Sequence, residues 1–367
     1  MPKSIAITGS GIIAIEYAKI FRNLGAEVTL IIRDRVPRRA LMKIGLDTDV
    51  AAILVADLVR SGIKILKGSQ VKSFVVPKNA GQLVSRPPIK LEVEGRGGEA
   101  LPSGAVTELK CDAYLAAVGR KPNTANLNLG PAGIDMDDYG GILVNGRLQS
   151  SAQDGNVYAA GDVLGRPFLA STGSAQGIAA VAAMFGTPDQ DPVAVSACDP
   201  DDKLCVDGDI SKAGEGFDPG SLAANPFAFP TAIWSSPEAA YYGLSLQQAK
   251  DMGINAAEAI ALYVESLRGR VFSPNGILKL VYEKPAGRVV GVHICGDDAC
   301  ELIHYGMELV KAKRTIDDIN SCVFSAVTFH EMYKIAAQAA LDEKGARKRR
   351  AAAGAAVAAR NREAKRA

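Results

Sequence analysis

Gly9-Ser10-Gly11-Ile12-Ile13-Ala14 sets three small residues at a spacing that suits one chemistry, the holding of a pyrophosphate. Gly9 is read as the tight turn, Gly11 as the point where main chain comes close to phosphate, and Ala14 as the residue that lets helix and strand pack closely. The free N–H groups and dipole of the helix that follows attract the anion, with Ser10, Ile12 and Ile13 completing the cradle. The flanks give the pattern its weight. Ile5-Ala6-Ile7 leads in as a strand, Ile15, Ala18, Ile20, Phe21 and Leu24 supply a helical stripe, and Gly25 stops it. Val28 to Ile32 is then a β-branched run of the kind buried in parallel sheets. The reading is a βαβ dinucleotide-binding unit.

The end of the second strand selects the dinucleotide. An acid there would accept from the ribose hydroxyls of NAD and repel a 2′-phosphate, but this chain carries Arg33, then Arg35, Arg38 and Arg39. Arg33 and Arg39 are the candidates for a 2′-phosphate, which favours NADP(H). Asp34 stands among them, so a solvated basic loop is the alternative.

Three further constellations could bear chemistry. Val157-Tyr158-Ala159-Ala160-Gly161-Asp162-Val163 is an apolar strand ending in Gly-Asp beside the small-residue run Leu169-Ala170-Ser171-Thr172-Gly173, a surface that a cofactor could approach closely. Asp162 is alternatively a cap for a helix over 175–184. Cys295 and Cys300 have the spacing of a redox pair but bridge a strand end and a helix start, and are read as ordinary thiols. Thr328-Phe329-His330-Glu331 is a capping box for a helix running to Leu341.

The elements behind these residues fit a chain of 367 residues, enough for two or three domains. Hydrophobic residues make up 48% and charged residues 22%, which excludes wholesale disorder and coiled coil. No apolar run reaches the roughly 18 residues of a membrane span. Residues 187–226 are rich in Gly, Pro and Asp and read as an inserted loop or linker. From 227 to 341 the pattern includes two strands, Ile277 to Tyr282 and Val289 to Ile294, around a Pro285-Ala286-Gly287 turn, then a helix from Asp297 to Lys313. Residues 342–367 form a basic Ala/Arg/Lys tail whose net +6 leaves the rest of the chain at −4, against +2 overall. Without interleaved aromatics the tail does not suggest a nucleic-acid partner. Six cysteines with no secretory signal point to a reducing compartment, the cytoplasm, and no His/Cys spacing suggests a metal site.

Pro2 to Ile7 with Gly9 to Ala18, Asp112-Ala113-Tyr114-Leu115-Ala116-Ala117-Val118-Gly119-Arg120-Lys121-Pro122-Asn123, and Val157 to Val163 together resemble the flavin-dependent pyridine nucleotide-disulfide oxidoreductases. The resemblance implies an α/β fold. Its parts are a Rossmann-like NAD(P)-binding domain at 1–122, the C-terminal part of an FAD-binding domain at 123–186 and an α+β dimerisation domain at 227–341. It also implies FAD, NADP(H) and NAD(H) as cofactors and a homodimer as the assembly. In its terms Glu16 lies near the nicotinamide, Gly119 ends the strand that returns the chain to the flavin domain, and Asp162 bonds the flavin's ribityl chain, with Leu169 and Ala170 beside it. Glu331 matches the acid of a catalytic His-Pro-Thr-x-x-Glu block, but Ala326 stands where that histidine belongs. Without it the resemblance shifts from disulfide reduction to hydride exchange between nucleotides, and the blocks resemble the transhydrogenase branch more than the reductases. The family's N-terminal flavin half precedes the nucleotide domain, and Pro2 to Ser4 already match interior sequence, so a truncated version is implied.

Overall fold

The computed structural model describes residues 1–77, 88–97, 101–145, 147–165, 168–186 and 229–342. The expected insert at 187–226 and nearly all of the basic tail lie outside them. The chain divides into two compact units, Met1–Gly119 with Pro230–Ala367, and Arg120–Phe229.

The first unit opens with β1 (Ser4–Thr8), α1 (Ile12–Asn23) and β2 (Glu27–Ile32), followed by α2 (Pro37–Met42), α3 (Thr48–Arg60) and β3 (Lys64–Lys67). A meander of β4 (Ser69–Val75), β5 (Ile89–Gly95) and β6 (Val106–Cys111) follows, and β7 (Ala113–Ala116) returns to the first sheet. That sheet runs β3-β2-β1-β7, every pair parallel, while the meander forms its own antiparallel sheet. Ala6, Ile7, Leu30 and Ile31 are fully buried, as residues of a sheet covered on both faces must be. Asp47 caps α3 by accepting from the N–H of Asp49 at 2.8 Å, the kind of bond worth about 1 kcal/mol. The buried Lys19 ammonium joins α1 to α3 through Asp57 at 2.6 Å and Ser61 at 2.7 Å.

The second unit holds a 3-10 turn over Gly161–Leu164 and α4 (Ala170–Phe185). Here the helix starts earlier than read: α4 begins five residues before 175, its N-cap is Leu169, and Asp162 is not its cap. Gly173 and Gly177 do not break it, because they pay their backbone entropy within a run of alanines that favours helix. Only Thr172 and Ala180 of this helix are buried, although it carries no charged residue, and Ile178 and Phe185 stand exposed.

The first unit resumes with β8 (Thr231–Ile233), β9 (Ala239–Gly243), α5 (Leu246–Asp251), β10 (Ala256–Leu262), α6 (Leu267–Phe272), β11 (Ile277–Glu283) and β12 (Val289–Cys295). It closes with α7 (Ala299–Lys311), α8 (Ile316–Ser321) and α9 (Glu331–Leu341). Its antiparallel sheet has the order β10-β11-β12-β9-β8. The two strands expected around Pro285-Ala286-Gly287 pair as read, and they are buried on both faces. One face joins Ile233, Tyr241, Ile260 and Ile277 to the core of α1, α2 and α3. The other packs Leu278, Leu280, Val292 and Ile294 on α7 and α9.

Candidate nucleotide and flavin sites

Strand β1 delivers Gly9 at φ +141°, a conformation that L side chains rarely adopt, and a Cβ there would lie 2.2 Å from the carbonyl oxygen of Ala117. Gly9 is therefore a packing glycine as well as a turn: it lets β1 and the exit of β7 close together, with its N–H donating to Ile31 at 3.1 Å. Gly11 differs. It is the N-cap of α1 in extended conformation, and a Cβ on it would meet nothing within 4 Å. No side chain caps this helix and no acid lies in its first turn, so the N–H groups of its first residues, Ile12 and Ile13 among them, gain no side-chain cap. Ala14 is fully buried beneath them and Ser10 is half-buried. An uncapped helix start fronted by room for an anion fits a dinucleotide pyrophosphate.

At the end of β2 the members of the basic cluster differ in their partners. Asp34 accepts from Lys43 at 2.8 Å, and Arg35 donates twice to the carbonyl of Arg96, at 3.1 and 3.0 Å. Arg33, Arg38 and Arg39 are exposed, and no ion pair ties them to another described residue. Gly119, at φ +129° with nothing within 4 Å of a built Cβ, ends the same unit beyond β7. Glu16, in the second turn of α1, is engaged: its Oε1 accepts from the main-chain N–H of Trp234 at 2.9 Å.

In the other unit Gly161, at φ +81°, lies against Gly173, where an added Cβ would come within 3.4 Å of the Gly161 Cα. Its N–H donates to Gln176 Oε1 at 2.8 Å. Asp162 is half-exposed, its Oδ2 accepting from Arg120 Nη2 at 3.2 Å. Leu169 and Ala170 open α4 with no side-chain cap, and the Thr172 hydroxyl is buried without a partner among the described residues. Small residues, an uncapped helix start and an accessible carboxylate fit the trailing part of a flavin-nucleotide site.

Glu331 belongs to the first unit. Its Oε2 accepts from the Thr328 N–H at 3.2 Å, but the Thr328 hydroxyl donates to Ser325 at 2.9 Å. Half of the expected capping box therefore forms, and His330 is the N-cap of α9. Ala326 is exposed, and Val327 beside it sits at φ +61°. His330 is also exposed, its ring near those of Tyr305 and Tyr333. Cys295 and Cys300 are both buried free thiols, and burial with the charge of Glu238 pushes the Cys300 thiol up to about 12, a poor nucleophile.

Two long-range features escaped the sequence reading. One is the bond from Trp234 to Glu16, 218 residues away, whose only signal is that Trp234 is the chain's single tryptophan. The other is the buried Lys279, which meets Asp47, Asp49 and Glu258 and carries no local signal.

Residues 1–177 match the model of the pyridine nucleotide-disulphide oxidoreductases, and residues 229–337 match the dimerisation domain of the same group. The chain belongs to the pyridine nucleotide-disulphide oxidoreductase family. It is 29% identical over 341 residues to a soluble pyridine nucleotide transhydrogenase of Colwellia psychrerythraea, covering 92% of this chain and 61% of that one. To a mitochondrial dihydrolipoyl dehydrogenase of Mesocricetus auratus it is 27% identical, covering 91% and 59%. The chain thus spans about six-tenths of the length of these curated relatives. In fold it is similar to the HOCl-induced flavoprotein disulfide reductase RclA from Escherichia coli in its Cu(II) complex, with a TM-score of 0.69 at 21% identity, covering 92% of this chain and 64% of that one. Among the described residues no helix is long and apolar enough to cross a membrane.

Proposed function

We propose that this member of the family serves hydride exchange between NADPH and NAD+ with FAD, as a soluble transhydrogenase does, and that it works as a homodimer. The observation that carries the reading is Ala326. In the block resembling His-Pro-Thr-x-x-Glu the imidazole position holds a methyl group, and Glu331 is occupied as a cap, accepting from Thr328. Neither group can relay a thiol proton as a His–Glu pair would. Bound FAD supplies the chemistry of accepting and returning a hydride, which needs no such relay.

The chain's own part is to bind and orient. The uncapped start of α1, with Gly9, Ser10, Gly11, Ile12, Ile13 and Ala14, holds the pyrophosphate of the nicotinamide nucleotide. Arg33 and Arg39 take the 2′-phosphate, and Gly119 leaves the strand exit open. Asp162, Leu169 and Ala170 contribute to the flavin side, where Arg120 holds the Asp162 carboxylate in place.

Purified protein should be yellow and should reduce an NAD analogue at the expense of NADPH. A colourless protein that still binds NADPH would instead be a nucleotide-binding, dimerising remnant. A dihydrolipoyl dehydrogenase-like activity is the second reading, favoured by an identity only slightly lower than that to the transhydrogenase. Turnover of lipoamide would establish it and overturn the argument from Ala326.

The coenzyme preference has its own test. Arg33→Glu places a carboxylate where the 2′-phosphate is expected. NADPH affinity should fall about 30-fold or more, the effect of losing one charge-assisted bond and adding repulsion, while NADH affinity changes less than about threefold. Equal losses in calorimetric titrations would remove the 2′-phosphate role.

A further inference from the structure

A guanidinium discriminates for a phosphate as far as its backbone is fixed, because the charge-assisted bonds it makes are directional. Arg33 directly follows β2, which lies between β1 and β3 in the parallel sheet. Arg39 is placed differently, in the six-residue helix α2. A helix so short has no stability of its own, and no side chain caps the N-terminal end of α2. Its position depends on what its other end is tied to.

That end is tied to a strand 197 residues later. The turn after α2 returns three main-chain bonds to the helix: Ile44 and Leu46 donate to the Leu41 carbonyl at 3.1 and 3.4 Å, and Gly45, at φ +99°, donates to the Met42 carbonyl at 3.1 Å. The Ile44 carbonyl takes no part in these bonds. It accepts instead from the Tyr241 hydroxyl of β9. Tyr241 lies so close over Gly45 that a Cβ there would come within 2.5 Å of its hydroxyl oxygen. The tyrosine is itself buried, stacks on the buried His293 with ring centres 6.0 Å apart, and shares a core with Ala40 and Leu41 of α2. Burial pushes its phenol above the ordinary value, which keeps the proton on oxygen, as a donor requires. Three residues beyond Ile44, Asp47 meets Lys279 of β11 at 2.7 Å, a second tie to the same sheet.

We infer that Tyr241 is a positioning residue for coenzyme choice: by holding the Ile44 carbonyl and packing on Gly45, it fixes α2 so that Arg39 stands where, with Arg33, it can take a 2′-phosphate. This rests on the 2′-phosphate reading of the two arginines and goes beyond it, since it places control of NADPH affinity in a strand of the antiparallel sheet. Tyr241 touches no nucleotide and acts through the backbone that carries Arg39.

The test uses the full chain titrated calorimetrically with NADPH and NADH, beside melting temperatures. Tyr241→Phe keeps the ring on Gly45 and removes the hydroxyl bond. It should weaken NADPH binding about 3- to 10-fold, the span of one hydrogen bond, and NADH binding less than twofold. Tyr263→Phe is the matched control, because it loses a bond to the Asp297 carbonyl at 2.8 Å in the core on the other face of the sheet. Both variants should melt about 2–4 °C lower, but Tyr263→Phe should leave the ratio of NADPH to NADH affinity unchanged. Arg39→Ala should weaken NADPH at least as much as Tyr241→Phe does, and adding Tyr241→Phe to it should weaken NADPH no further, as expected if the tyrosine acts through the arginine. Equal weakening of NADPH and NADH in Tyr241→Phe, no weakening of either, or full additivity with Arg39→Ala overturns the inference. If Arg39→Ala itself binds NADPH as the wild type does, it is the 2′-phosphate reading that fails, and the inference falls with it.

Discussion

Gly11→Val should fold and lose its dinucleotide, whereas Gly9→Val should fail to fold. The two glycines are two residues apart in one motif, but the structure gives them different duties. A Cβ on Gly11 meets nothing within 4 Å, and its φ of −81° with ψ of 179° suits any L residue. Valine is a poorer N-cap than glycine, so a loss of about 1 kcal/mol in stability is expected and no more. Its branched side chain would nonetheless fill the space through which phosphate oxygens reach the free N–H groups of α1. NADPH affinity should fall at least about 100-fold, some 2.7 kcal/mol. On Gly9 the added carbon would lie 2.2 Å from the Ala117 carbonyl oxygen, at a φ of +141° that valine does not tolerate. Strain and overpacking together should cost about 4 kcal/mol or more and leave little soluble protein. Melting temperature and calorimetric titration of both variants separate the two effects. Wild-type affinity in Gly11→Val would show that the nucleotide does not lie on this helix start.

What could be read from the sequence was what is encoded locally. The βαβ unit is legible because Gly9, Gly11 and Ala14 sit at fixed offsets between two apolar strands, and the parallel pairing of β1 with β2 follows from one short helix. The turn at Pro285-Ala286-Gly287 fixed the hairpin of β11 and β12 in the same way. What could not be read depends on contacts between distant segments. Lys279 interrupts Leu278 and Leu280 and reads as the polar side of a half-buried strand, but the face on which it lies is closed by α3, some 230 residues earlier. Asp47 carries the local signature of a helix cap and performs that role, while its pairing with Lys279 leaves no trace in spacing. The start of α4 was placed too late because Leu169 to Gly173 were read as a small-residue surface for a cofactor, whereas Ala170 to Gly173 already form its first turn. The Thr328–Glu331 box formed only in part because the Thr328 hydroxyl found the nearer carbonyl of Ser325.

Lys279→Met should lower the melting temperature by roughly 10 °C at neutral pH, and by less in acid. The Lys279 ammonium is buried, with Asp47 at 2.7 Å, Asp49 at 2.6 Å and Glu258 at 3.3 Å. Burial opposes its charge, but the carboxylates of Asp47, Glu258 and Asp49 more than offset that, so its pKa lies above that of an ordinary lysine. Asp47 likewise pays for burial and is still held below the usual carboxylate range by Lys279. Removing the cation takes the counter-charge from the buried Asp47 carboxylate, beside Asp49 and Glu258, between α3 and the sheet of β10, β11 and β12, a change that typically costs about 3–5 kcal/mol. Each kcal/mol moves the melting temperature of a unit this size by about 2–4 °C. The sign of the pH dependence follows from the same groups. His293, fully buried with Nε2 3.0 Å from the Leu244 carbonyl, has its pKa lowered by burial despite the Asp47 charge. Both Asp47 and His293 have folded-state values below their unfolded ones, so the stability each contributes is present above the unfolded value and is lost as pH falls below it. For His293 that loss begins near 6.5 and for Asp47 near 3.8, each at no more than about 1.4 kcal/mol per pH unit. In Lys279→Met the buried Asp47 carboxylate, freed of the Lys279 charge that lowers its pKa, takes up a proton more readily, so acid relieves part of the damage and the gap to wild type should narrow between pH 7 and pH 4.5. His293→Asn supplies the complementary curve, with a flatter decline between about pH 6.5 and 5 than the wild type. A gap in melting temperature that stays constant across this range would show that Lys279 acts by packing its aliphatic stem rather than by holding the carboxylates.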